Sequence, residues 1–264
     1  MPLSLQSFAT VPEASEALKS AGARYLGGGT LVVRAANEGD LGFDTFVRST
    51  DAGLRRIEVD GSRVTLGASV TMAQIAQHKE LAPIAQAARA VGGPAIRNMA
   101  TVGGNLFAPT PYGDFAVALL ALGATVEADG RSMEMDEFLR DRDRLEGIVT
   151  AVRFDLPRAG AFRFAKVSRV KPKGLSVLSI AARIDIGAGG AVASARIALG
   201  CMADRPIRAA KAEEALIGAA LTEDGIAPAV AAVSDGISPP TDPIASEWYR
   251  REVLPVHFSR LLLR

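Results

Sequence analysis

Two short glycine-rich segments carry most of the chemistry this sequence offers. The first is Leu26-Gly27-Gly28-Gly29-Thr30-Leu31. Glycine has no Cβ, so a run of three allows positive φ and close approach of the backbone to a ligand. Successive N–H groups can point into one concavity and bind an anion, and the Thr30 hydroxyl adds a donor. The same run also fits a tight turn that binds nothing. The second segment is Thr101-Val102-Gly103-Gly104-Asn105-Leu106. Here glycines stand beside a hydroxyl and an amide, both able to bond a phosphate or carbonyl oxygen. The alternative is a glycine turn in which Asn105 bonds its own backbone. Together the two segments could grip the paired charges of a diphosphate. Asp114, nine residues beyond Asn105, could accept bonds from ribose hydroxyls, cap a helix, or do both.

Other chemistries are disfavoured. No G-x-G-x-x-G opens a helix, no G-x-x-x-x-G-K-[ST] occurs, and neither G-x-S-x-G nor H-E-x-x-H is present. The single cysteine, Cys201, permits no intrachain disulfide, no cysteine-based zinc site and no iron–sulfur cluster held by this chain alone. His78 and His257 are the two histidines and read as surface residues, so no metal site is expected. Lys and Arg total 30 against 29 Asp and Glu, a net charge of +1, which leaves no electrostatic footprint for nucleic acid. With 264 residues, 48% of them hydrophobic and 22% charged, the chain has the profile of a globular protein with a sizeable core. The apolar stretch from Phe115 to Ala124 is too short to span a bilayer. Met1-Pro2-Leu3-Ser4-Leu5 lacks the basic and apolar regions of a secretory leader, so a cytoplasmic location is the default expectation.

The elements that must position these residues are legible from caps and periodicity. Thr10-Val11-Pro12-Glu13 fits a capping box, and Ala14, Ala17, Leu18 and Ala21 fall on one helical face. Ala23 to Leu26 reads as the strand before the first glycine run. Short strands are expected at Arg56 to Val59 and Arg63 to Gly67, around Asp60-Gly61. Thr71 and Gln74 form a second capping-box candidate. An alanine-rich helix covers about Ala82 to Val91, and Gly92-Gly93-Pro94 breaks it. Asp114 opens a helix that Gly123 closes, and Thr125 to Ala128 is a strand that turns at Asp129-Gly130. After a strand at Gly147 to Leu156 the pattern changes. Phe162 to Val170, Val177 to Ile186 and Ala191 to Leu199 read as long strands, followed by helices near Ile207 to Leu216, Glu223 to Val233 and Ser246 to Val253. Cys201 reads as a small buried apolar residue. Trp248-Tyr249 and Leu261-Leu262-Leu263 fit an interface patch or the packing of a terminal helix.

Three segments in order carry a family resemblance: Gly27-Gly28-Gly29-Thr30-Leu31, then Ile96-Arg97-Asn98-Met99-Ala100-Thr101-Val102-Gly103-Gly104-Asn105-Leu106, then Pro111-Tyr112-Gly113-Asp114. Their combination resembles the flavin-binding subunit of the molybdenum hydroxylases, the xanthine dehydrogenase and carbon monoxide dehydrogenase medium-subunit family. The middle segment is the specific one. The resemblance implies an α+β fold. A PCMH-type FAD-binding domain of two α/β subdomains would span residues 1–157, divided near 54. A smaller α+β domain with a three-stranded antiparallel sheet and helices would span 158–264.

The resemblance also implies roles. Gly27, Gly28, Gly29, Thr30 and Leu31, with Thr101, Gly103, Gly104 and Asn105, would hold the FAD diphosphate. Asp114 would lie at the adenosine ribose, and Ile148 by the adenine. Val91, Gly92 and Lys166 would lie by the isoalloxazine, though Lys166 and Arg169 also fit a solvated strand face. No residue of the chain is expected to act catalytically on substrate. FAD would be held non-covalently, since neither glycine segment has a His or Cys in place for attachment. Molybdopterin would sit on a large partner subunit and two [2Fe–2S] clusters on a small one, in a dimer of heterotrimers. Electrons would pass from those clusters through FAD to an external acceptor. A stand-alone FAD-dependent oxidase or dehydrogenase of the same fold is the alternative. The chain departs from the family pattern at Val33, where proline is common, with Arg34 after it. It also departs at Tyr112, where small residues are common, and at the basic segment Val170-Lys171-Pro172-Lys173-Gly174-Leu175.

Overall fold

Local signals and long-range pairing divide the chain into three sheets. The computed structural model describes residues 3–145, 147–170 and 174–264. Of the basic segment singled out above, Lys171, Pro172 and Lys173 lie outside the described residues.

The first unit comprises β1 (Ser4–Phe8), α1 (Val11–Leu18), β2 (Ala23–Tyr25), α2 (Val32–Asn37) and β3 (Thr45–Ser49). Its three strands are parallel, in the order β1-β3-β2. Helix α1 starts at the expected capping box: Thr10 Oγ1 accepts the Glu13 N–H, and Glu13 Oε2 accepts the Thr10 N–H at 3.1 Å. Ala14 and Val47 form a small core with Ile148. Parallel strands need crossover connections, and α1 and α2 supply helices between the strands of this unit.

The second unit is larger. It runs through β4 (Ile57–Asp60), β5 (Arg63–Gly67), α3 (Met72–Gln77), α4 (Ala85–Ala90), α5 (Pro94–Met99), α6 (Val102–Leu106), α7 (Asp114–Leu122), β6 (Thr125–Ala128), β7 (Arg131–Glu134), α8 (Met135–Asp141) and β8 (Val149–Asp155). The strands pair antiparallel in the order β4-β5-β8-β6-β7. Asp129 and Gly130 both have positive φ, 51° and 71°, as a two-residue hairpin turn between β6 and β7 requires. The expected helix over Ala82 to Val91 is split into a 3-10 turn (Ala82–Ile84) followed by α4. Every residue of α7 is buried. Beyond Asp114 its sequence is apolar and leaves no polar face, so the helix is central rather than peripheral.

The third unit holds β9 (Phe162–Val167), β10 (Leu178–Ile186), β11 (Val192–Gly200), β12 (Ile207–Arg208), α9 (Ala210–Leu216), α10 (Glu223–Ala232) and α11 (Glu247–Leu262). The antiparallel order is β12-β11-β10-β9, four strands where the sequence suggests three. The extra one is two residues long, too short for an alternating pattern to announce it. Helix α11 outruns its expected end near Val253, continuing through Pro255 to Leu262. The terminal leucines divide: Leu261 and Leu262 are buried and Leu263 is exposed. The helices cover one face of this sheet. Its other face joins the main core, where Phe162, Phe164, Ala181 and Ala198 meet α7. Among the described residues no helix is long and apolar enough to cross a membrane.

Candidate cofactor site

The first glycine run leaves the sheet at the carboxyl end of β2. The Leu26 N–H still bonds Val47 O at 2.7 Å, but among the described residues no acceptor pairs with the backbone N–H groups of Gly27 through Leu31. Five consecutive donors without a protein partner are unusual, because most backbone N–H groups that leave water find an acceptor. Residues 28–31 are half-buried. The segment therefore has the donor set of an anion-binding concavity. It stands at the carboxyl ends of parallel strands β2 and β3, where open sheets place ligand crevices. Gly28 is required for packing: a Cβ there would overlap the Met99 carbonyl oxygen.

The second segment is not a loop. Thr101 caps α6, its Oγ1 accepting the Gly104 N–H at 3.1 Å. The Val102 N–H bonds Val70 O, the Gly103 N–H bonds Ala68 O, and the Asn105 N–H bonds Thr101 O. These donors are engaged within the protein, in contrast to the first run. Asn105 does not bond its own backbone through its side chain. Its Oδ1 accepts the Ala116 N–H at 2.9 Å, supplying an acceptor at the start of α7 from a distance.

The two segments meet. A Cβ built on Gly27 would stand 3.0 Å from Thr101 Oγ1 and 4.0 Å from the Gly104 nitrogen. A cleft of 470 Å³ opens beside this contact, lined by Gly27, Gly28 and Thr101 together with Arg48, Arg55, Ser49, Ser69, Thr71, Gln74 and Asn98. Two guanidinium groups and several hydroxyls beside unpaired backbone donors suit a diphosphate. Arg48 and Arg55 carry no motif: the pairing of β3 with β2 brings Arg48 here, and a 3-10 turn at Ala52–Arg55 brings Arg55.

Lys166, Asp114, Ala90 and Ser176 form a second cluster. Lys166 Nζ, on β9, donates to Asp114 Oδ2 at 2.8 Å and to Ala90 O at 2.9 Å. Asp114 is 5% exposed, and its Oδ1 accepts the Ser176 hydroxyl at 2.7 Å. Asp114 is not the cap of α7. Gly113, at φ 89°, holds that position and makes no side-chain bond, while Asp114 enters the first turn. The family pattern also assigns Asp114 and Lys166 to opposite ends of one FAD. Here the two side chains are in direct contact at 2.8 Å. Val91 and Gly92 follow Ala90 in a turn held by Arg97, whose Nη1 donates to Gly92 O at 2.6 Å and Arg89 O at 3.1 Å. Arg97 belongs to the Ile-Arg-Asn motif, and this task depends on a turn that the motif itself does not reveal.

The remaining residues fall around these clusters. Ile148 is 2% exposed, packed with Ala14 and Val47 rather than lining the cleft. Thr30 and Leu31 lead into α2, with Leu31 at its N-cap. The two departures Arg34 and Tyr112 touch: Arg34 Nη1 donates to Tyr112 Oη at 2.8 Å. The ion pair with Glu38 and the phenol both raise the Arg34 pKa. Cys201 is buried, as expected, with its Sγ 3.5 Å from Ser176 O. Burial, and then the Asp114 carboxylate, push its thiol up to about 12.

Comparison with known proteins gives this site its context. The FAD binding domain in molybdopterin dehydrogenase matches residues 2–157, and the CO dehydrogenase flavoprotein C-terminal domain matches residues 163–264. The nicotinate dehydrogenase FAD-subunit of Eubacterium barkeri is 29% identical over 226 residues, 80% of this chain and 76% of that one. The glyceraldehyde dehydrogenase medium chain of Sulfolobus acidocaldarius is 31% identical over 191 residues, 64% of this chain and 63% of that one. The structure of reconstituted CO dehydrogenase from Oligotropha carboxidovorans shares the fold, with a TM-score of 0.90 at 24% identity over 100% of this chain and 98% of that one. Fold, cleft and family match define an FAD-binding flavoprotein, a subunit of an oxidoreductase. The chain belongs to the family of FAD-binding medium subunits of the molybdenum hydroxylases, the type found in CO dehydrogenase and nicotinate dehydrogenase.

Proposed function

We propose that this chain is the electron-transfer subunit of a molybdenum-containing hydroxylase or dehydrogenase. In this reading it receives electrons from [2Fe–2S] clusters on a small subunit and passes them through non-covalent FAD to an external acceptor. A large molybdopterin-binding subunit hydroxylates the substrate, and the whole forms a dimer of heterotrimers. The observation that carries the reading is the run of five unpaired N–H donors whose first two residues, Gly27 and Gly28, line a cleft together with Thr101. The relatives' designations as an FAD-subunit and medium chains support it.

The division of labour follows the bonding. Gly27, Gly28, Gly29, Thr30 and Leu31 offer backbone donors to the diphosphate, with Thr101 and Gly104 opposite and Arg48 and Arg55 as counter-charges. Gly103 and Asn105 hold α6 against Ala68 and α7. Val91, Gly92 and Lys166 stand at the isoalloxazine, and Asp114 stands behind Lys166 rather than at a ribose. Ile148 is reached from the adenine side of the small core. FAD supplies a carrier that accepts electrons singly or in pairs. With FAD bound, a Lys166 cation beside the isoalloxazine would favour its anionic reduced form. Residues 1–157 form the FAD-binding domain and 158–264 the C-terminal domain of the CO dehydrogenase flavoprotein type.

Purification of the chain with its neighbouring subunits tests this. The expected result is visible flavin absorbance, release of FAD on acid or heat precipitation, and molybdenum and iron in the native complex. Flavin bands without molybdenum, iron or partner chains would point to the stand-alone oxidase. A colourless chain that takes up no added FAD would sink both.

A further inference from the structure

We infer that Ser176 is a positioning residue for the flavin end of the site: its hydroxyl holds the Asp114 carboxylate, which in turn aims Lys166. The inference rests on the reading that Lys166 stands at the isoalloxazine. Lysine is a point charge on a flexible four-carbon stem and does not hold a direction by itself. Here its ammonium has two fixed acceptors, Ala90 O at 2.9 Å and Asp114 Oδ2 at 2.8 Å. An ammonium has three N–H donors, so one remains for a ligand. The Lys166 side chain is 15% exposed, enough to present that donor.

The aim depends on the carboxylate plane. Rotation of Asp114 about its terminal torsion is broad and soft unless something fixes it. Ser176 does so, donating to Oδ1 at 2.7 Å from a fully buried position. Ser176 is itself held from behind, because its carbonyl oxygen accepts the Cys201 thiol at 3.5 Å. Burial keeps that thiol protonated across the physiological range, so it remains a donor. The result is a chain of contacts from Cys201, just after β11, through the buried Ser176 and Asp114 to Lys166 on β9.

Removal of the Ser176 hydroxyl frees the carboxylate to turn and loosens Lys166. The cation then stabilises the anionic reduced ring less, and the flavin becomes harder to reduce. The test is the midpoint potential of the bound flavin in the whole FAD-loaded chain, in a double-mutant cycle. Ser176→Ala is expected to keep its flavin and to lower the reduction equilibrium constant about tenfold, which for a two-electron couple is about 30 mV. In a Lys166→Met background the same substitution is expected to add nothing. Ser176→Thr, which retains the hydroxyl, is expected to keep the wild-type potential.

An unchanged potential in Ser176→Ala overturns the inference, as does an equal shift in the Lys166→Met background. Where Ser176→Ala fails to fold, the isosteric pair Ser176→Thr and Ser176→Val differs only in the hydroxyl, and equal potentials in that pair overturn it. A wild-type chain that binds no FAD overturns the functional reading and this inference with it. A flavin-loaded wild type with a silent Ser176→Ala overturns this inference alone.

Discussion

A Cβ on Gly27 would stand 3.0 Å from the Thr101 hydroxyl oxygen, although 74 positions separate the two residues in the chain (101 − 27). This proximity sets the carboxyl end of the parallel sheet beside the cap of α6, and both Gly27 and Thr101 line the cleft. Gly27→Val is therefore expected to weaken FAD binding by at least about tenfold, roughly 1.4 kcal/mol. The fold should survive, because Gly27 is exposed. Flavin occupancy by titration and melting temperature by circular dichroism check the two halves separately.

Asp114→Ala leaves the Lys166 ammonium and the Ser176 hydroxyl without their shared acceptor in a buried place. Breaking a buried pair by removing one partner costs about 3–5 kcal/mol. The expected outcome is a chain destabilised on that scale even without FAD, measured by urea unfolding. A loss of flavin affinity with unchanged stability would return Asp114 to direct contact with the cofactor.

Arg97→Ala is expected to loosen the Val91-Gly92 turn. The guanidinium satisfies carbonyls at the end of α4, where a cation also complements the helix dipole. Two charged hydrogen bonds in a half-buried setting suggest a loss of about 1–3 kcal/mol. Arg97→Lys should not recover it, since one ammonium lacks the planar fork. Hydrogen exchange at Val91 and Gly92 amides would report the loosening directly.

The pair of Arg250 and Asp242 predicts a specific acid dependence. Arg250 Nη2 donates to Asp242 Oδ2 at 2.7 Å, and Arg250 is fully buried. Burial works upward on the Asp242 pKa, but the Ala245 and Ile244 N–H groups and Arg250 outweigh it and hold it below 3.8. A depressed folded pKa gives stability that is present above the unfolded value and lost as pH falls through the folded one. Asp242→Ala should be less stable than wild type near neutral pH, by about 3 kcal/mol. That gap should narrow below about pH 4, the unfolded carboxylate value. Urea unfolding across pH checks both statements, and a gap independent of pH would refute the linkage.

Gly123→Ala probes the seam between the second and third sheets. Gly123 ends α7 at φ 66°, and a Cβ there would run into the Arg196 guanidinium from β11. Left-handed backbone strain of about 1–2 kcal/mol for a non-glycine residue adds to that clash. A drop in melting temperature of several degrees is expected.

What the sequence reveals follows the range of the interactions. Both capping boxes, at Thr10 and Thr71, lie where expected because each is a bond between residues three apart. The Asp129-Gly130 hairpin is equally local. Strands β1 and β3 escaped because they have no long apolar run and exist by pairing across about 40 residues. Glycines at 103 and 104 suggest a turn, since glycine is a poor helix former; packing against Ala68 and the Thr101 cap override that preference. The glycine motifs give no sign of Arg48 and Arg55, which line the same cleft only through tertiary packing. Asp114 was visible as a residue of interest, while its true neighbours, Lys166 and Ser176, are 52 and 62 positions away.

Helix α7 has no water-facing side, and it packs on β10 and β11 as well as on the sheet of its own unit. A protein cut after residue 157 would strip one flank of that helix bare and invite aggregation. The two modules should therefore be expressed and engineered as a pair. A transplant of the flavin-carrying half into another scaffold would have to bring a substitute roof for this buried rod.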